Sequence, residues 1–262
     1  MNRTVVEGNG PVCVLSGGLG LAWFDWDAVA RLLTPHRTVI RLDRLGPEPH
    51  RTPSLAREAA RILRAIDAHA PHRQATIVGH SLAGFHCEAF ARLYPSRTAG
   101  LVLVDSSVEE DARRPPAPAL RTTAARLAAA TLRAIGAPRA LGPPLRRAVV
   151  RAGRTAGGDP APYDLVRRTY GTSNSARAIL TEYASYHDQA AELAALRREF
   201  PLPPHSPVTV LAAGDNRRWL ERQAHLATEL HAHFRVVEPS GHLVMLDRPT
   251  EVADAVLSTI SP

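Results

Sequence analysis

Ser81 sits in the stretch Gly79-His80-Ser81-Leu82-Ala83, between a β-compatible run at 74–78 and a helix expected over 82–93. A strand that turns sharply into a helix at one residue forces that residue into strained torsions. The positions two before and two after must then be small, and here they are Gly79 and Ala83, with Gly84 next. The turn lifts a hydroxyl clear of the sheet and aims it at a helix N-terminus, where free N–H groups stabilise an anion. Ser81 is therefore displayed as a nucleophile. An unassisted serine is a weak one: it needs a base to take its proton, and the base needs an acid to orient it. A Gly-x-Ser-x-small match also occurs in ordinary turns with an N-capping serine, so the placement between strand and helix carries the reading.

The elements around the serine alternate. Strand-like runs fall at 12–15, 37–41, 74–78 and 100–104, and helical spacing falls at 24–33, 54–69 and 82–93. Leu55, Ala59, Ile62, Leu63 and Ile66 recur at helical intervals after Ser54, an expected N-cap. Buried apolar runs between amphipathic helices predict an α/β fold, a mostly parallel central sheet with helices on both faces. After Val104 the pattern changes. From 108 to 204 no strand is expected; apolar positions such as Leu120, Ala124, Leu127, Leu132 and Ile135 follow helical spacing. Four or five short helices are expected there, broken at Pro115-Pro116, Pro143-Pro144 and Gly157-Gly158. Strand signals resume at 207–212 and 234–238, separated by a helix over 217–231 and followed by a final helix. The division read from this is a core of 1–107 and 205–262, with a helical insertion at 108–204.

The elbow and the chain order together resemble the α/β-hydrolase superfamily, in its cap-bearing esterase, lipase and haloperoxidase-like branch. The usual elbow is G-x-S-x-G; this chain has Ala83 in the fifth place. The family's order is nucleophile, acid, histidine. Leu211-Ala-Ala-Gly-Asp215 resembles its G-x-x-D acid turn, and Gly241-His242 with Leu246-Asp-Arg-Pro resembles its G-H-x-x-x-L-E-x-P segment. The resemblance thus implies Ser81 as nucleophile, His242 as base and Asp215 as acid. Asp105, at the end of another strand, is the alternative acid, since some members place it there. Two backbone donors for an oxyanion are implied: the N–H of Leu82, and that of Gly18 in Ser16-Gly17-Gly18-Leu19-Gly20, where Ser16 replaces the family's histidine. Trp23, Phe24, Trp219 and Leu243 stand beside these segments and are candidate pocket residues. His80 is expected to pack.

The expected activity is that of a serine hydrolase cleaving a small or medium acyl ester through an acyl-enzyme. The same triad also serves cofactor-free lyases, C–C hydrolases, thioesterases and perhydrolases, and a non-catalytic ligand-binding member is a further alternative. Epoxide hydrolase and haloalkane dehalogenase chemistry is disfavoured, because those enzymes use an aspartate where this chain has Ser81. No cofactor is expected, and no CxxC or carboxylate-flanked His pattern suggests a metal. Cys13 and Cys87 read as buried hydrophobes. All 32 basic residues are Arg, the net charge is +7, and 15 Arg against 9 Asp or Glu fall between Ser107 and Pro203. Aromatics are 5%, so the basic stripe with interleaved rings of a nucleic-acid binder is absent. Solvated helix faces are the main reading of the arginines; steering of anionic ligands is the other. No run is long and apolar enough for a membrane span, and no leader pattern opens the chain, so a cytoplasmic location is expected.

Overall fold

The computed structural model describes residues 4–45, 53–214 and 216–259. In chain order the elements are β1 (Thr4–Glu7), β2 (Val12–Ser16), a 3-10 turn (Trp23–Trp26), α1 (Asp27–Leu33), β3 (Thr38–Leu42), α2 (Leu55–His69), β4 (Ala75–His80), α3 (Ala83–Leu93) and β5 (Thr98–Val104). Five helices follow without a strand: α4 (Pro118–Ala134), α5 (Ala137–Ala152), α6 (Tyr163–Tyr170), α7 (Ser173–Ala184) and α8 (Tyr186–Glu199). The chain then returns through β6 (Val208–Ala213), α9 (Arg217–Glu229), β7 (His233–Val237), α10 (Val244–Asp247) and α11 (Pro249–Ser258).

The strands form one sheet in the order β1-β3-β2-β4-β5-β6-β7, parallel except where β1 pairs antiparallel with β3. Period-two side-chain alternation divides each central strand between two cores. Cys13, Leu15, Val78, Val102 and Leu211 face α1 and α11, meeting Val29, Leu33, Val252 and Val256. Val12, Val14, Ile77, Leu101 and Val210 face α2, α3 and α9, meeting Ile62, Ile66, Phe90 and Leu226. Residues on the central strands are therefore apolar in both phases, which is why the sequence shows continuous runs. The expected α/β class, mostly parallel and covered on both faces, is what the chain forms, with the helical insertion directly after the strand ending at Val104.

Three local features differ from expectation. β1 was not anticipated; it is four residues long and only half-buried at the sheet edge. Ser54 occupies the N-cap of α2, but its side chain makes no capping bond; the Leu55 N–H is instead taken by Glu192 Oε2 of α8, at 2.8 Å. Pro143 and Pro144 do not break a helix but lie inside α5. They remove the N–H groups that would bond the carbonyls of residues 139 and 140. Tertiary packing outweighs this: Pro143 is buried, and α6 crosses so closely at Gly142 that a Cβ there would collide with the Tyr170 carbonyl.

Ion pairs fasten the insertion. Arg146 of α5 pairs with Asp25 beside α1, Arg154 with Asp247 at 2.8 Å, and Arg197 of α8 with Glu88 of α3 at 2.8 Å. Within the insertion Arg121 pairs with Asp188 at 2.5 Å. Three of the insertion's 15 arginines are thus drawn into attachment to the core. Among the described residues no helix is long and apolar enough to cross a membrane.

Candidate active site

Ser81 follows β4 directly and holds a φ of 52°, in the left-handed region that side chains resist. Such strain costs of order 1–3 kcal/mol and persists only where the surroundings enforce it. Here they do. The Ser81 N–H donates to the Val104 carbonyl on β5 at 3.1 Å, and its carbonyl accepts from Gly84 N–H at 2.8 Å and Ser107 N–H at 3.1 Å. A Cβ on Gly79 would stand 2.6 Å from the Ala83 carbonyl oxygen and 2.7 Å from Cys87 Sγ, so glycine is required before the turn. Ala83 fits the fifth place, fully buried at the start of α3. The backbone of Ser81 is clamped, while its hydroxyl has no hydrogen-bond partner among the described residues.

His242 lies in the turn between β7 and α10. Its Nδ1–H donates to Asp105 Oδ2 at 2.6 Å. A carboxylate only accepts, so Nδ1 carries a proton, and in the neutral ring Nε2 is left as the acceptor. The His242 side chain is 45% exposed and that of Asp105 2%, so the open face of the imidazole is the one away from the acid. Asp105 is held as firmly as Ser81. It follows β5 directly with a φ of 43°, its N–H bonds the Leu211 carbonyl at 2.7 Å, and its Oδ1 accepts from Ala213 N–H at 2.9 Å and Trp219 Nε1–H at 2.7 Å. Three donors therefore converge on one buried carboxyl. Among the described residues the carboxyl bonded to His242 is that of Asp105, which was the alternative acid to Asp215. Asp215 lies outside the described residues.

His80 packs, as expected, and also holds its neighbour. Its ring stands 4.6 Å from that of His242, and its Nε2–H donates to the His242 carbonyl at 2.8 Å. Burial, reinforced by nearby His242, keeps His80 well below the usual histidine range. It is thus a neutral donor that ties the His242 backbone to the residue before Ser81.

Gly18 approaches Ser81 so closely that a Cβ there would lie 2.7 Å from Ser81 Cβ. Among the described residues neither the Gly18 nor the Leu82 N–H has a protein acceptor, and Leu82 opens α3. The loop between them and the insertion is fixed by two side chains that sequence reasoning missed. Arg44 Nη1 donates to the Gly17 carbonyl at 2.7 Å, and the Tyr170 hydroxyl donates to the Gly20 carbonyl at 2.8 Å. Arg44 is itself paired with Glu182 of α7. No local motif marks either residue, because both reach the loop from distant parts of the chain.

The four candidate pocket residues have other partners. Trp219 braces Asp105. Phe24 is buried against Tyr170, ring edge to face at 6.4 Å. Leu243 is in the core with Val244 and Met245. Trp23 meets Phe24 edge-on at 5.7 Å and carries the Arg41 guanidinium 5.0 Å above its ring. None of the four lines the apolar cavity under the insertion.

Ser81, Asp105 and His242 all leave the carboxyl ends of parallel strands, where open α/β sheets bind ligands. The family model described as the alpha/beta hydrolase family matches residues 13–255. No curated protein matches the sequence. Among solved structures, a thermophilic esterase from Thermogutta terrifontis superposes with a TM-score of 0.71 at 20% identity, covering 98% of this chain and 92% of that one. An enol-lactonase from Burkholderia xenovorans LB400 gives 0.69 at 18%, covering 98% and 95%. The epoxide hydrolase CorEH gives 0.72 at 20%, covering 98% and 93%. At these identities the neighbours speak for the fold and leave the bond cleaved open. Because the family match runs from the second strand into the last helix, the chain belongs to the alpha/beta hydrolase family.

Proposed function

We propose that the protein is a serine hydrolase that cleaves carboxylic esters through an acyl-enzyme on Ser81. The observation that carries this reading is the 2.6 Å bond from His242 Nδ1–H to the buried Asp105 carboxyl, at the same sheet edge as the strained serine. In that tautomer His242 Nε2 can only accept, as a general base must. Ser81 Oγ attacks the ester carbonyl carbon while its proton passes to Nε2. The carbonyl oxygen becomes an oxyanion facing the Gly18 and Leu82 N–H groups, each donor of this kind being worth about 3 kcal/mol. Collapse breaks the C–O bond to the alcohol, which leaves with the proton from Nε2. Water then attacks the acyl carbon, gives a proton to Nε2, and collapse returns that proton to Ser81 as the acid leaves. Asp105 orients the imidazole and stabilises it when charged.

The test is turnover of p-nitrophenyl esters by purified protein, together with a fluorophosphonate mass adduct. Loss of both in Ser81→Ala supports the reading. An adduct that persists in Ser81→Ala, or no ester turnover with intact folding, removes it. Thioester, lactone, C–C and perhydrolysis chemistry would use the same three side chains and are separated by the same protein on a substrate panel.

A further inference from the structure

The insertion walls off a cavity of about 420 Å³ against the loop that follows Gly18. Leu19, Gly20 and Leu21 form one side; Leu141, Leu145 and Val149 of α5, four residues apart and so on one stripe, form another. These three are 60%, 64% and 56% exposed, although they are large and apolar. Ile179 and Leu180 of α7 complete the lining.

Position ties this cavity to the reacting centre. The Gly153 carbonyl, immediately after α5, accepts the N–H of Leu243 at 2.9 Å, so the end of α5 rests on the segment carrying His242. The opposite wall begins one residue after Gly18. Val149 lies one helical turn before Gly153, so this end of the stripe is the one nearer the His242 turn, and Leu19 on the facing wall follows Gly18 directly.

Chemistry selects the occupant. Only two residues on the lining have polar side chains, Arg146 and Tyr170, and both are committed elsewhere. The Tyr170 hydroxyl bonds Gly20. Arg146 is buried, pairs with Asp25, has Nε 3.4 Å from Asp159 Oδ2, and lies over the Tyr170 and Phe24 rings at 5.2 and 5.9 Å. Arg146 Nε and Nη1 have no hydrogen-bond partner, but both atoms are buried beneath the lining, so neither side chain presents a free donor or cation at the cavity surface. A polar or anionic group placed there would lose its hydration without compensation.

We infer that this cavity holds an unbranched, uncharged hydrocarbon chain of the substrate, lying along the α5 stripe. The inference rests on the ester reading of Ser81 and names the substrate class for it. It predicts a chain-length preference: each methylene buried should raise kcat/KM about fourfold, at roughly 25 cal/mol per Å² of apolar surface.

The experiment has two arms and a binding control. p-Nitrophenyl acetate, butanoate and octanoate vary the acyl side; ethyl, butyl and octyl acetates vary the alcohol side. One series should rise at least tenfold from its shortest to its longest member, identifying which half of the ester enters. Leu145→Asp and, separately, Leu141→Asp should lower that ratio tenfold or more; both side chains are exposed, so folding is retained. A flat response in both series, or a rise unchanged in both variants, overturns the inference, as does preference for an ester ending in a carboxylate over its neutral counterpart. Calorimetric titration of octanol into the Ser81→Ala protein separates this from the catalytic reading. Binding with a negative heat-capacity change, lost in Leu145→Asp, supports the cavity assignment even if no ester is cleaved. No binding, with esters cleaved, rejects the cavity assignment alone.

Discussion

The central sheet and the helical insertion bury their residues by different means. Every residue of β2 and β4 is buried, and all but one of β5, so these strands are held by apolar contact on both faces. Of the 17 residues of α4 only Thr122 and Ala129 are buried, while Leu120 and Leu127 stand exposed. The insertion is fixed by a few charged pairs reaching into the core together with small apolar clusters, such as Ala190 and Leu193 with Phe85 and Val166 with Phe24. Apolar burial is non-directional and tolerates small shifts; a buried ion pair depends on each partner. The sheet therefore fixes Ser81, Asp105 and the turn carrying His242, and the insertion is attached to it at separate points; under the proposed function the first would hold the reacting atoms and the second would shape what reaches them.

The sharpest test of the sheet's role is Asp105→Asn. The shape of the side chain is kept, but an amide nitrogen can face His242 Nδ1 and favour the wrong tautomer. In a well-studied serine protease the equivalent change lowers kcat about 10⁴-fold, and a loss of about 10³–10⁴ in ester turnover is expected here with little change in KM. Asp215→Asn in parallel should cost far less. The reverse ranking would assign the acid to Asp215 and detach Asp105 from catalysis.

That pair of aspartates also marks the limit of what sequence can carry. Both stand at the end of a β-run, and both are followed by a polar residue. Resemblance to an acid turn favoured Asp215. What favours Asp105 lies in space: Trp219, Ala213 and His242 all donate to its carboxyl, and none of these contacts is written near residue 105 in the sequence. The elbow was legible because its constraint is local: a strained φ demands small neighbours within a few residues. The sheet was legible because strands buried on both faces read as short continuous apolar runs between amphipathic helices. β1 left too little to read, being four residues at an edge. Pro143 and Pro144 misled because helix propensity is local, whereas the packing of Pro143 and the crossing of α6 are not. Tyr170 and Arg44 had no signal at all, since their targets are carbonyls about 150 and 27 residues away.

On the insertion's side of the comparison, Glu88 bears the largest expected effect. It is buried on α3 and receives both Arg197 bonds at 2.8 Å and Arg92 Nε at 2.9 Å. Glu88→Ala leaves two arginines facing an apolar site, and removing one member of such a group typically costs about 3–5 kcal/mol. Urea unfolding should show a loss of that order. A loss below about 1 kcal/mol would mean that α8 is held by its apolar contacts, Ala190 and Leu193 against Phe85, and would erase the contrast with the sheet.

A smaller effect follows with pH. Burial alone would raise the Glu88 carboxyl, but Arg197 and then Arg92 outweigh it and hold it below its ordinary value of 4.5. A depressed folded-state value means that the unfolded chain binds the proton more readily. Stability from this group is complete above 4.5 and falls as pH drops through the folded-state value. Unfolding free energy measured from pH 6 down to pH 3 should decline in the wild type and decline less steeply in Glu88→Gln. Parallel slopes would place the acid sensitivity elsewhere.

The smallest effect is expected where the two regions meet, at Tyr170→Phe. The ring remains against Phe24 and below Arg146, so packing changes little. What is lost is one hydrogen bond, from the insertion to the Gly20 carbonyl, worth about 0.5–1.5 kcal/mol. Gly20 lies two residues beyond Gly18, and Arg44 still holds Gly17 from the other side. If the insertion only shapes access, the variant should alter KM or chain-length preference and leave kcat alone. If it also holds the oxyanion loop in place, kcat should fall about two- to tenfold while KM and the melting temperature stay nearly constant, because misplaced N–H donors weaken the transition state more than the bound ester. The bond from Tyr170 across the boundary favours the second outcome.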